Sequence, residues 1–256
     1  MKKVSFFGII MMCVMGVVST SCGDDKSDDS PTTLSINPSS VSLYYEDTQQ
    51  LSASGATSWS SENEFVAKVD AKGLVTANHV GSTNIQASNG NAMGRCSVTV
   101  KPKYNCYDTP LLNWGSSPSA ISTAETHAKS SSNNSNYLYY EYTNGTTNAI
   151  VQYIFKENSL SGINVIASYS DYARIGLYLI ERYQPFYKDD NDNYYFIDTM
   201  DINTAKSIVV LSTTKISGSN VTLVTYMPNT QKSNAPRRAI SQNLELPEEL
   251  LTLLSE

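Results

Sequence analysis

Apolar positions change their rhythm twice along the 256 residues. Between Val4 and Val18 they run almost unbroken behind Lys2 and Lys3, but the run is shorter than the roughly 20 residues a bilayer-spanning helix needs. From Leu34 to Val100 they come in short bursts: Val41-Ser-Leu43, Val66-Ala-Lys-Val69, Leu74-Val75 and Val98-Thr-Val100. The turn formers Asn37-Pro38-Ser39, Asp70-Ala-Lys-Gly73 and Asn89-Gly90-Asn91 part them, so this stretch predicts short strands packed as a two-sheet sandwich. Beyond Pro102 aromatic strands alternate with stretches of helical period. Ser117-Pro118 supplies an N-cap and a first-turn proline to a helix with Ile121, Ala124 and Ala128 on one stripe. Ser170 caps a second helix in which Ala173, Gly176, Leu177 and Ile180 share a face.

Within this third region the chain resembles itself. Asn136-Tyr-Leu-Tyr-Tyr140 matches Asn193-Tyr-Tyr-Phe-Ile197 at an offset of 57, and Ala149-Ile-Val151 matches Ser207-Ile-Val209 at 58. Each copy follows a helix, so the region reads as one supersecondary unit duplicated to bury a shared face. The predicted fold class is multi-domain: an all-β immunoglobulin-like sandwich at 34–101, then at 104–230 an α+β module of two tandem α-β-β-β repeats. Six or so antiparallel strands would carry two helices on one side. Residues 231–256 read as a flexible tail closing in a short Leu-rich helix that starts at Pro247. Its leucines either dock on the second module or bind a partner.

Composition narrows the function classes. The formal charge is −6, and removing a leader with Lys2 and Lys3 makes it more acidic, which argues against nucleic acid as a partner. Charged residues are only 16% while tyrosines number 17, a balance typical of secreted β-rich modules. The only histidines are His79 and His127 and there is no Cys-x-x-Cys pair, so no structural zinc and no cofactor is expected. No Gly-x-Ser-x-Gly elbow is present, and no acid pair, Glu141 with Asp198 included, has a spacing that predicts glycosidase geometry. Catalysis is therefore not expected. Asp189–Asn193 lacks the glycine of a calcium loop and reads as a solvated hairpin turn.

The opening resembles a bacterial lipoprotein signal peptide: two lysines, an apolar stretch, small residues Ser19, Thr20 and Ser21, then Cys22. Ser19 replaces the leucine usual in that pattern. The resemblance implies cleavage after residue 21 and lipid attachment at Cys22. The following Gly23-Asp-Asp-Lys-Ser-Asp-Asp29 resembles the surface-export tether of one group of Gram-negative bacteria, so 22–33 is read as an acidic tether. Together they imply a protein held by lipid on the outer membrane and facing the cell exterior. The ordered motifs Thr57-Ser-Trp59-Ser-Ser61, Val66-Ala-Lys-Val69-Asp70, Gly73-Leu-Val75-Thr-Ala77, Gly81-Ser-Thr83 and Ile85 resemble the bacterial immunoglobulin-like domain of group 2. That family is found in invasin- and intimin-like adhesins, and the likeness implies a spacer or adhesion module without catalysis. Trp59 would anchor its core. The second module loosely resembles the β-lactamase-inhibitor-protein-like tandem fold and, within one unit, small outer-membrane assembly lipoproteins.

Two cysteines remain for the folded part. Cys96 and Cys106 either form a disulfide, for which the chain must reverse at Pro102, or stay apart with Cys96 as a small buried hydrophobe. The ligand-binding candidates are Tyr137, Tyr139 and Tyr195. Alternation puts Tyr137, Tyr139 and Glu141 opposite Leu138, Tyr140 and Tyr142, and Tyr195 opposite Tyr194 and Phe196. If helices cover one face, the other shows tyrosines to water, suited to a glycan or a protein ligand at the cell surface. The predicted function is a lipid-anchored binding or adhesion protein. A glycan-processing enzyme and an envelope-complex inhibitor or scaffold are the alternatives.

Overall fold

A computed structural model describes residues 32–130, 133–143 and 145–230. Cys22, the acidic run behind it and the Leu-rich segment lie outside the described residues. The first module consists of β1 (Thr32–Thr33), β2 (Ile36–Asn37), β3 (Ser40–Tyr44), β4 (Thr48–Gln50), β5 (Ser52–Ala53), β6 (Ser58–Ser61), β7 (Ala67–Val69), β8 (Leu74–Ala77), β9 (Gly81–Ser88) and β10 (Ala92–Lys101). One sheet runs β1-β10-β9-β6 with β3 also paired to β10, and a second runs β4-β8-β7. Alternation in β10 sends Ala92, Gly94, Cys96, Val98 and Val100 inward, where they meet Leu51, Val66, Val75, Ile85 and Ala87. The sandwich starts two residues before 34, because β1 belongs to its sheet.

Trp59 sits half-buried against this core. Gly73 makes room for it: its φ is +83°, and a Cβ there would lie 2.9 Å from the indole and 2.9 Å from the Leu51 carbonyl oxygen. The turn therefore demands glycine twice over, by backbone conformation and by contact.

The second module contains α1 (Pro118–Ala124), β11 (Ala128–Lys129), β12 (Tyr137–Tyr142), β13 (Ala149–Lys156) and β14 (Ser159–Ser168). There follow α2 (Tyr172–Ile180), β15 (Gln184–Lys188), β16 (Tyr194–Ile197), β17 (Ser207–Ile216) and β18 (Ser219–Pro228). All eight strands form one antiparallel sheet in the order β11-β12-β13-β14-β18-β17-β16-β15. Each helix thus precedes four strands where the sequence predicts three. The short β11 and β15 are the additions, and they form the two edges. The two four-strand meanders meet at their last strands, β14 and β18.

Two helix boundaries differ from expectation. Ser117 caps α1 as predicted, its hydroxyl accepting from Ala120 N, but the helix stops at Ala124 because Glu125 turns extended and points its carboxylate into the core. Ala128 consequently lies exposed in β11 rather than on a helical stripe. Before α2 a 3-10 turn intervenes, capped by Ser168 rather than Ser170, and Asp171 takes the N-cap position of the helix. Gly176, Leu177 and Ile180 are buried as predicted, along with Ile175, Tyr178 and Leu179, so the helix is enclosed nearly all round.

The helices and the segment from Tyr104 to Trp114 cover one face of the sheet, burying Tyr140, Tyr142, Val151, Tyr153, Val165, Val209, Leu211, Val224 and Tyr226. This core is rich in tyrosine, and most of its phenols find partners inside it, although the buried Tyr140 hydroxyl has none among the described residues. Tyr107 and Tyr226 hydroxyls lie 3.0 Å apart, Tyr178 reaches Thr109 at 3.0 Å, and the Leu111 amide donates to Tyr153 at 3.1 Å.

The two modules share a joint built on Glu181, just beyond α2. Its carboxylate, 2% exposed, accepts from the amides of Lys103 (2.9 and 3.1 Å) and Tyr104 (3.0 Å), and its carbonyl accepts from Val80 N at 2.6 Å. Burial nonetheless pushes its pKa up. His79, stacked on Phe65 at 4.1 Å and bonded through Nδ1 to the Phe65 carbonyl at 2.7 Å, closes the joint from the sandwich side with Tyr45, which packs against the second core.

Candidate functional site

With one face covered, strand alternation leaves most of the other side of the sheet uncovered among the described residues. Tyr137 is exposed and Tyr139 half-buried there, while Leu138, Tyr140 and Tyr142 point into the core. Tyr195 is half-buried on the same side, between buried Tyr194 and Phe196. Ile197, also assigned to that side by alternation, is 2% exposed. The letter-by-letter repeat pairs Tyr137 with Tyr194, which lie on opposite faces. Tyr139 and Tyr195 instead share one register row.

That row crosses seven strands: Tyr139 opposite Gln152, then Asn164, Thr225, Val210, Tyr195 and Tyr187. Strand spacing of about 4.8 Å over five steps puts Tyr139 and Tyr195 about 24 Å apart. Between them runs a ladder of side-chain hydrogen bonds. Gln152 Nε2 donates to Tyr139 Oη at 2.7 Å, Asn164 Nδ2 to Gln152 Oε1 at 2.9 Å, and Thr225 Oγ1 to Asn164 Oδ1 at 2.9 Å. Aromatic pairs close both ends: Tyr137 with Tyr139 at 6.4 Å between centroids, and Tyr187 with Tyr195 at 5.5 Å. Tyr195 is held further by its hydroxyl donating to Asp189 at 3.2 Å, within a turn where Asp189 also accepts from Asn191 N and Asn193 N.

The flanking rows are aliphatic. On one side Ile150, Ile166 and Leu223 lie in register between Glu141 and Ser212; on the other are Ile154, Met227 and Ile208. Ile150 is 48% exposed and the others are half-buried. The ladder atoms are satisfied by one another, so covering this face leaves few polar groups to be stripped of water without a partner. The arrangement fits apolar contact better than recognition of hydroxyls, which would need open donors and acceptors.

A second constellation lies under the covered face. Glu125, its side chain 2% exposed, accepts from Tyr142 Oη at 2.6 Å, Tyr153 Oη at 2.5 Å and His127 Nδ1 at 2.6 Å. His127 stacks on Tyr142 with centroids 3.6 Å apart, and its Nε2 lies 3.2 Å from Asp108, which is 52% exposed. Burial pushes the Glu125 carboxyl up, but the three donors outweigh it and hold the group below its ordinary value of 4.5. Burial and the negative neighbour drive both phenols well above the usual tyrosine range. Nothing local in the sequence marks Glu125, because the helical stripe continues unbroken through Ala128 although the helix ends at Ala124.

Cys96 and Cys106 are both free and buried, in different cores. The Cys96 thiol faces the Ser97 carbonyl at 3.7 Å inside the sandwich, and Cys106 donates to the Arg174 carbonyl at 3.4 Å beside α2. The bridge alternative fails because Pro102 passes the chain onward into the second module and does not turn it back. Glu141 and Asp198 are not brought together either: Glu141 sits on β12, while Asp198, after β16, accepts from Lys206 N at 2.9 Å. Among the described residues no group of three or more His, Cys, Asp or Glu side chains could hold a metal ion, and no helix is long and apolar enough to cross a membrane.

No curated protein matches the chain. Among solved structures it matches an intimin mutant of EHEC O157:H7 at 28% identity, covering 36% of this chain and 50% of that one, with a TM-score of 0.23. It also matches domains 5-6 of the S-layer protein SbsC at 16% identity, covering 77% and 85%, with a TM-score of 0.23. The chain spans half the length of the intimin chain it matches. A family model described as Bacterial Ig-like domain (group 2) matches residues 30–100. The ordered motifs around Trp59, the two-layer sandwich and this match agree: residues 30–100 belong to the bacterial Ig-like domain family of group 2.

Proposed function

We propose that the chain is a lipid-anchored outer-membrane protein facing the cell exterior, in which the Ig-like domain is a spacer and the open sheet face of the second module binds a protein ligand. We read that module as one α+β unit duplicated. The observation that carries the proposal is the register row from Tyr139 to Tyr195: a self-satisfied polar ladder between aliphatic rows, with tyrosine pairs at both ends. A contiguous, partly exposed apolar face on a sheet is a usual mark of a protein contact. The Glu181 joint supports the spacer role, because it couples the face to the sandwich. The polar groups of the Glu125 cluster hold one another inside the core, which supports binding rather than catalysis.

The site is tested with Tyr139→Ala and Tyr195→Ala together, screened against arrays of outer-surface proteins and of glycans. A folded double variant with weakened binding to an array protein is the expected result. Binding to a glycan would replace the ligand class, and unaltered binding would move the site off this face. Location is tested separately: Cys22→Ala abolishes fatty-acid labelling and releases the chain from membranes, and protease added to intact cells degrades the wild type.

A further inference from the structure

The aliphatic rows of the open face lie close to the point where the chain leaves the sheet. β18 is a central strand of the sheet, and its end is fixed where Asn229 N donates to the Lys206 carbonyl at 2.8 Å and Asn229 Nδ2 to the Ile202 carbonyl at 2.7 Å. The chain therefore leaves the sheet two residues past Met227, beside the row of Met227, Ile208 and Ile154. It continues from Gln231 to Glu256. The stretch from Thr230 to Leu244 can span about 46 Å when extended, and the whole sheet is about 34 Å wide across seven strand spacings. Every row lies within reach.

The sequence of that segment complements the face. Leu246, Leu250, Leu253 and Leu254 recur at i, i+4, i+7 and i+8, while Glu245, Glu248, Thr252 and Ser255 fall on the opposing side together with Leu251. Such a short amphipathic element gains little from helix formation alone and needs an apolar surface to cover. We propose that residues 244–254 dock through their leucine stripe on the open face of the second module of the same chain, across Ile150, Ile166 and Leu223. This builds on the binding role of the face but is judged by a different readout.

Amide hydrogen exchange over residues 244–254 of the full chain tests it. The expected result is exchange at least about tenfold slower than in a synthetic peptide of residues 241–256, since tenfold corresponds to about 1.4 kcal/mol of docking. Protection should vanish in Leu223→Asp and, in case that half-buried site perturbs folding, in Ile150→Asp, where the side chain is already 48% exposed. Peptide-like exchange in the wild type, or protection that survives both face variants, overturns the proposal. Protection that disappears on dilution would assign the contact to a second copy and overturns the same-chain docking. Loss of ligand binding in the tyrosine double variant while the segment stays protected would leave this proposal standing, and the reverse outcome would remove it alone.

Discussion

Removing the Glu125 carboxylate should be among the most damaging single changes in the second module. The side chain is 2% exposed and takes hydrogen bonds from Tyr142, Tyr153 and His127 within 2.6 Å. Bonds to a charged acceptor are worth about 1.5–3 kcal/mol each. Glu125→Ala does not forfeit all three, because the Tyr142 and Tyr153 hydroxyls, 2.9 Å apart, still satisfy one another in part. The net loss should be about 3–5 kcal/mol, as for breaking other buried charge networks, or a fall of about 6–20 °C in melting temperature. Glu125→Gln keeps the volume and one acceptor, so it should lose less. Urea unfolding followed by Trp114 fluorescence reads the effect, since that indole donates to Ser207 at 3.0 Å within this module, and Trp59→Phe removes the only other tryptophan. The carboxyl is held below 4.5 in the folded state, so its contribution is present above that pH and is lost as pH falls through the depressed value. The gap between wild type and Glu125→Gln should therefore narrow in acid. A loss under about 1 kcal/mol for Glu125→Ala, or a gap that widens as pH falls, would refute the reasoning.

Further outcomes follow from the turn, the joint and the thiols. Gly73→Ala should destabilise the Ig-like domain by at least about 1–3 kcal/mol in denaturant melts, because the residue sits at φ +83° with the Trp59 ring against its Cα. Glu181→Ala should leave both cores folded but speed exchange of the Lys103 and Tyr104 amides by about tenfold or more, as their shared acceptor is gone. Cys96 and Cys106 should resist thiol reagents in the native protein and react together after denaturation; burial pushes the Cys106 thiol up to about 11.

Much of this architecture was legible because it is local or periodic. Turn residues and alternating valines marked the sandwich strands, and the ordered motifs around Trp59 carried the family. Alternation also separated Tyr139 from Tyr140. The edge strands were hidden for a physical reason: β11 has only two residues, and β15 pairs irregularly around Pro185 and Tyr187. The stop of α1 depends on Glu125 meeting phenols 17 and 28 residues away, and the joint depends on Glu181 meeting amides 77 and 78 residues away. No helical or strand period encodes such contacts. The Gln152–Asn164–Thr225 ladder was equally invisible, since it exists only once β14 pairs with β18.

Isoleucine methyl NMR of the full chain, titrated with the ligand identified by array, tests the central claim most directly. The account predicts that the methyl signals of Ile150, Ile154, Ile166 and Ile208 on the open face shift, while those of buried Ile121, Ile163 and Ile175 and of Ile85 in the sandwich hold still. Shifts confined to Ile36 and Ile85, or a saturated complex in which the open-face methyls do not move, would contradict it.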